Sequence, residues 1–187
     1  MRKIIFILIT IIGVSSYSQT KKVSVEKSIY GVQTGLFGVW INNESKLFDK
    51  ISLKSEIGLD FGVSGKTFFD EKLIFFATPS ITVEPRFYYN LSKRLDKNKN
   101  ISNNSGNYIS IKSTYNPDWF VVSNKDNITV YNQLRIVPSW GIKRTYGKHF
   151  TLETGAGIGF QFVENTFAKN TENKTGLDLH FRIGYTF

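Results

Sequence analysis

The chain has 187 residues, a net charge of +9 at pH 7, no cysteine and two histidines. That length suits one domain and leaves no room for a multidomain enzyme. The lack of thiols excludes a disulfide framework, a cysteine nucleophile and a Cys-ligated metal, and His149 and His180 alone cannot build a multi-histidine centre.

Residues 1–18 read as a cleavable secretory signal. Met1, Arg2 and Lys3 give a cationic start, and an apolar run from Ile4 to Val14 follows, broken by Thr10 and Gly13. As a helix the run rises about 16 Å, short of the roughly 20 residues that span a bilayer. Ser16 and Ser18 are small residues three and one before a cut ahead of Gln19. The mature chain, residues 19–187, is therefore expected outside the cytoplasm.

Past the signal, strict period-two alternation recurs. Residues 28–47 read as two strands turning near Gly35 to Gly38, because a closed bacterial barrel normally has an even strand number. Ile51, Leu53, Ile57, Leu59, Phe61 and Val63 alternate with Ser52, Lys54, Glu56, Gly58, Asp60 and Gly62. Ile81, Val83, Phe87, Tyr89 and Leu91 alternate with Thr82, Glu84, Arg86, Tyr88 and Asn90, and Ile109, Ile111 and Tyr115 with Ser110, Lys112 and Thr114. Ile128, Val130, Leu134, Ile136, Trp140 and Ile142 oppose Thr129, Tyr131, Gln133, Arg135, Ser139 and Lys143. Residues 150–162 and 177–187 carry the clearest pattern, the latter setting Leu177, Leu179, Phe181, Ile183, Tyr185 and Phe187 against Asp178, His180, Arg182, Gly184 and Thr186. Tight turns at 48–50 and 146–148 and polar loops at 64–73, 116–127 and 164–173 join the strands. The Lys- and Asn-rich residues 92–106 form a long connection at the short-turn end. Pro85 and Pro138 fall mid-strand, where each removes a ladder donor, so a bulge or local break is expected at both.

These patterns predict an all-β, eight-stranded antiparallel up-and-down transmembrane β-barrel with a plugged polar interior and both termini periplasmic. A soluble lipocalin-like barrel alternates too, but with its apolar face inside. Three features favour the membrane form. The polar faces collect near-balanced charges, Glu44, Glu56, Asp60, Glu84, Glu153 and Asp178 against Lys46, Lys54, Arg86, Lys112, Arg135, Lys143 and Arg182, which can pair as buried charges require. The same faces are rich in glycine, as suits a crowded, curved interior. Aromatic residues gather towards strand ends, where interfacial girdles sit. Asn132 and Ser113 are the polar residues on the expected lipid side.

The chain resembles the small outer-membrane β-barrel proteins of the Bacteroidota. The resemblance rests on the signal ending Ser16-Tyr17-Ser18-Gln19, the segment Glu84 to Leu91, the basic, Asn-rich turn after it, and the ending Arg182 to Phe187. It implies a cell outer-membrane location among outer-membrane lipids. It also implies that Tyr185 and the terminal Phe187 form a signal read by the barrel-assembly machinery. It implies no activity.

Catalytic chemistry finds little support. A barrel enzyme needs a nucleophile, a histidine base and an orienting acid in reach of one another, and no such grouping is spaced for it. His180 lies mid-strand beside Asp178 and Arg182, as a charge-paired interior group, and His149 sits at a short turn. Lys54, Glu56, Asp60, Glu84, Arg86, Arg135, Glu153, Asp178, His180 and Arg182 are expected to form a structural ionic network, with Arg86, Arg135 and Arg182 pairing Glu56, Glu84, Glu153 and Asp178. Exposed Trp119 and Phe120 in the 116–127 loop are candidates for contact with a surface partner, and Lys93, Arg94, Lys97 and Lys99 for contact with an anionic periplasmic one, either peptidoglycan or an acidic protein. Nucleic acid, metals and cofactors are not expected. The sequence thus predicts a non-enzymatic outer-membrane protein with a structural or surface-interaction role. A narrow channel is the alternative, ahead of a soluble lipocalin-like binding barrel and a lipid-modifying barrel enzyme.

Overall fold

The structure, a computed structural model, describes residues 23–65, 73–126, 128–165 and 170–187. The expected signal, residues 1–18, lies outside the described residues. Nine strands form one antiparallel sheet: β1 (Ser28–Gly35), β2 (Gly38–Phe48), β3 (Ile51–Ser64), β4 (Ile74–Tyr88), β5 (Asn107–Asn116), β6 (Val122–Ser123), β7 (Gln133–Tyr146), β8 (Phe150–Asn165) and β9 (Asn170–Thr186). Between β4 and β5 lie a short helix, α1 (Leu91–Asp96), and a 3-10 turn (Ser102–Asn104). Each long strand pairs with the next, and β1 pairs with β9, so the sheet closes into a ring. The two-residue β6 adds to β4 alone among the described pairings, through Phe76↔Ser123 and Ala77↔Val122. Among the described residues no helix is long and apolar enough to cross a membrane.

Alternation drives the closure, because successive side chains point to opposite faces. Inward positions carry Glu44, Lys54, Glu56, Glu84, Arg86 and Glu153, all buried, while Ile41, Ile57, Ile111, Phe160, Leu179 and Phe181 are exposed on the outside. The usual arrangement of a water-soluble core is inverted: charges are inside and large apolar groups outside.

The structure corrects several sequence expectations. Strand β4 begins at Ile74 rather than 81, and Ile74-Phe75-Phe76 gives no alternation because Phe76 turns inward over Gly62. The expected 64–73 loop shrinks accordingly, its residues 66–72 lying outside the described ones. The expected loop at 164–173 is also too long, since β8 runs to Asn165 and β9 starts at Asn170. Near those strand tips both faces are polar and the period-two signal disappears. Residues 128 and 130 are not in a strand, because β7 begins at Gln133 and Asn132 instead accepts hydrogen bonds from the Tyr115 hydroxyl and the Asp118 N–H. Leu91 starts α1 and turns into the ring rather than extending β4 outward. Lys46 lies at the rim, paired with Asp49 at 2.7 Å, because the β2–β3 register shifts between Lys46 and Phe48.

The prolines break the ladder without shifting it. Pro85 pairs with Leu53 and Pro138 with Ile111 in unbroken register. On the other side of each strand, however, the β4–β5 pairing skips residues 84 and 85 and the β7–β8 pairing skips 137 and 138. A missing N–H is thus absorbed as a gap, not a bulge.

Candidate functional site

Glu153 of β8 is the hub of the interior. Arg86 of β4 donates Nη2 to its Oε1 at 2.6 Å and Nη1 to its Oε2 at 3.1 Å, and Nη2 also reaches Glu84 at 2.6 Å. The Arg86 guanidinium lies 4.2 Å from the centre of the Tyr108 ring, whose hydroxyl donates to Glu153 at 3.1 Å. Lys54 donates to Gln33 at 2.7 Å and pairs with Glu56 at 2.6 Å, and Gln33 returns a bond to Glu153 at 3.3 Å. Arg182 grips both oxygens of Glu56 at 2.7 and 2.9 Å while stacking 3.9 Å over the Trp40 ring. Each buried charge meets an opposite one, the condition under which desolvated charges persist.

A second node forms at Glu44 of β2, which accepts from Lys143 (2.7 Å), Ser52 (2.7 Å), the Tyr88 hydroxyl (2.9 Å) and Asn104 Nδ2 (2.8 Å). Towards the long-loop end, Lys112 holds both Asp178 oxygens at 2.6 and 2.7 Å. His180 stands between Asp178 (3.5 Å from Nδ1) and Glu153 (3.9 Å from Nε2). Arg135 reaches Asp60 at 2.6 Å rather than any of the acids expected from the sequence, and Asp60 also accepts from Trp40 Nε1 at 2.9 Å and Asn116 Nδ2 at 3.1 Å. Sequence reasoning passed over Gln33, Trp40, Asn104 and Tyr108 as members of this network. Tyr108 shares the parity of Ser110 and Lys112, and Trp40 that of Glu44, which was the available signal.

The two ends of the ring differ. At the short-turn end the connection of residues 91–106 folds back as a stopper, and Leu91 joins Val25, Tyr88 and Tyr108 in a small apolar cluster. Asn104, at a positive φ of 58°, points its amide at Glu44 and accepts the Glu26 N–H at 2.8 Å. Asn103 ties the stopper to Lys148 O (2.8 Å) and Thr186 Oγ1 (3.0 Å), and Asn100 to Thr145 O (3.0 Å). Arg94 is half-buried against the Asn100 carbonyl at 2.7 Å, whereas Lys93, Lys97 and Lys99 are exposed. At the long-loop end the interior opens into a cup of about 550 Å³ whose lining mixes polar and charged groups, among them Asp60, Thr78, Lys112, Arg135 and Asp178, with apolar ones such as Phe61 and Phe76.

The remaining candidates lie outside the interior. Trp119 and Phe120 are exposed on the segment between β5 and β6. Tyr185 and Phe187 face outward at the end of β9, with Tyr185 stacked on His149 at 5.1 Å and the Phe187 N–H donating to Tyr30 O at 3.0 Å. His149 Nδ1 contacts the Thr186 carbonyl at 2.7 Å. Among the described residues no group of three His, Asp or Glu side chains is arranged to hold a metal. No protein family, curated protein or solved structure matches this chain.

Proposed function

We propose that this chain is an integral outer-membrane protein of the kind found in the Bacteroidota. In this reading the eight long strands form an up-and-down transmembrane β-barrel and the stopper faces the periplasm. The observation that carries the reading is the inverted burial: Arg86, Lys54, Glu44 and Glu153 are buried inside while Ile57, Leu179, Phe181 and Phe160 are exposed outside. Such a surface is costly in water and favourable in a bilayer, where a closed sheet also satisfies the backbone. It also argues against a lipocalin-like barrel, which would need the apolar face inside.

The role is non-enzymatic, either structural or surface interaction, with Trp119 and Phe120 as the outer contact and Tyr185 with Phe187 as the assembly signal. The cross-linked charges and the stopper leave no open lumen along the short-turn half, which weighs against diffusion of nutrients. The test is a gel of boiled and unboiled protein from fractionated outer membranes. A heat-dependent mobility shift in that fraction is the expected result; protein found soluble in the periplasm without a shift overturns the reading.

A further inference from the structure

The wall of the ring is not of even height. Strand β1 pairs with β9 from Gly31↔Thr186 to Gly35↔Arg182 and then turns back through Leu36 and Phe37. Strand β9 continues to Asn170 on the far side of Arg182, and there its described partner is β8 alone. On the other flank, β2 pairs with β3 as far as Gly38↔Asp60 and the turn reaches one residue further, the Phe61 N–H donating to Phe37 O at 2.7 Å, while β3 continues to Ser64. Among the described residues a notch therefore lies above the β1–β2 hairpin, between β9 and β3, and the cup opens beside it: Leu36, Phe37, Phe61, Leu177 and Leu179 border the same cavity as Asp60 and Arg135.

The notch lies within the apolar band. Leu177 and Leu179 are 66% and 58% exposed on the outer face of β9 past the point where β1 ends, and Phe61 and Val63 continue the band past the end of β2. Arg182 to Leu177 is about 16 Å of strand, well over a third of an outer-membrane barrel's apolar belt of about 25 Å even after allowing for tilt. The hairpin tip matches this depth, since Leu36 is 78% and Phe37 60% exposed where a turn in water would be polar. Behind the notch, Arg135 and Asp60 are the network pair left most open, with side chains 33% and 20% exposed. They set one cation and one anion side by side at the cup.

We propose that this side opening is a binding site for a single-chain zwitterionic amphiphile of the outer leaflet. Its phosphate meets Arg135, its ammonium meets Asp60, and its acyl chain passes through the notch over Leu36 and Phe37 into the lipid. The proposal rests on the outer-membrane reading above. A cup lined by both charged and apolar groups, with a lateral exit at hydrocarbon depth, fits a molecule with a charged head and one chain. A water-soluble ligand would need no apolar sill, and a purely apolar one would make no use of the partly exposed charges of Arg135 and Asp60.

The test uses the full mature chain, first shown to be heat-modifiable, in phosphatidylcholine nanodiscs containing lysophosphatidylcholine with a nitroxide on its head group. Backbone amides of Lys112, Thr114 and Arg135, at the cup, are expected to broaden several-fold more than those of Thr145, Thr151 and Thr186 at the stoppered end. Unlabelled lysophosphatidylcholine should reverse the effect. Thr78→Trp, which fills the cup, should abolish it, and Arg135→Gln, a milder change at a partly exposed side chain, should weaken it at least tenfold. A heat-modifiable protein whose cup amides broaden no more than the stoppered end, or broaden equally in both variants, overturns this inference and leaves the membrane reading intact. A chain that shows no mobility shift and does not enter the nanodisc overturns both.

Discussion

Arg86 and Glu153 face each other across the ring from β4 and β8, joined by two hydrogen bonds at 2.6 and 3.1 Å with no exposure of either side chain. Arg86 also neutralises Glu84 and lies 4.0 Å from Glu44, so one guanidinium offsets charge on three carboxylates. Removing one partner of a buried pair leaves an uncompensated charge, at a cost of about 3–5 kcal/mol. Arg86→Leu is therefore expected to lower unfolding free energy by that order. Arg182→Leu should cost less, because Glu56 keeps Lys54 at 2.6 Å. Urea titrations of both variants in lipid vesicles, followed by the gel mobility shift, would check the order. Equal midpoints for wild type and both variants would rule out a stabilising network.

Parity along the strands is legible from one sequence because a side chain's face depends only on its own position. That is why the inward set, from Lys54 to Arg182, could be read. Which inward residues meet depends on register, and register is set across strands by turns and closure that no single segment encodes. Arg135 illustrates the limit: its row on β7 brings it to Asp60 of β3, not to the acids its parity also allowed. The stopper was illegible for another reason. Residues 98–104 carry no period, and the function of Asn104 lies in one side chain inserted at positive φ. The notch is not legible in the sequence because it is a difference between strand lengths, and strand ends blur where both faces become polar.

Asn104 should prove a structural residue of the stopper. Its amide supplies a buried donor to Glu44, and its Oδ1 caps the Glu26 N–H. Asn104→Ala removes both bonds and leaves in the left-handed region a residue that visits it less readily than asparagine, whose short polar side chain can hydrogen-bond locally. Glu44 keeps Lys143, Ser52 and Tyr88 as donors, so the expected loss, about 1–3 kcal/mol, is that of one hydrogen bond to a charged group and of the acceptor for the Glu26 N–H. Limited proteolysis at Lys93, Lys97 and Lys99 should accelerate in the variant. Unchanged cleavage would mean that the stopper does not depend on this anchor.

Ion conduction gives an independent check on the interior. The Glu153 and Glu44 clusters cross the lumen with paired charges, and the stopper closes the end beyond them. Planar-bilayer recordings in molar KCl are expected to show no steady open level. Deleting residues 92–105 should leave conductance low, because the ionic cross-links remain. A stable wild-type current would favour the narrow channel instead.

Large inward rings stand opposite glycines on the neighbouring strand: Tyr108 opposite Gly141, Trp40 opposite Gly58, and His180 opposite Gly155. The ring occupies the space that a side chain would take. A Cβ at Gly141 would lie 2.3 Å from Tyr108 Cζ and 2.5 Å from its hydroxyl oxygen, too close for any ordinary contact. Gly141→Ala must therefore push the Tyr108 ring away, loosening both its bond to Glu153 and its stack on Arg86. Overpacking of this kind costs about 1–3 kcal/mol. If displacement of the ring is the cause, Tyr108→Ala should remove most of the penalty of Gly141→Ala, so the double variant should fall well short of the sum of the two singles. Additive losses in the same urea titration would show that the glycine is required by its backbone alone and not by the ring above it.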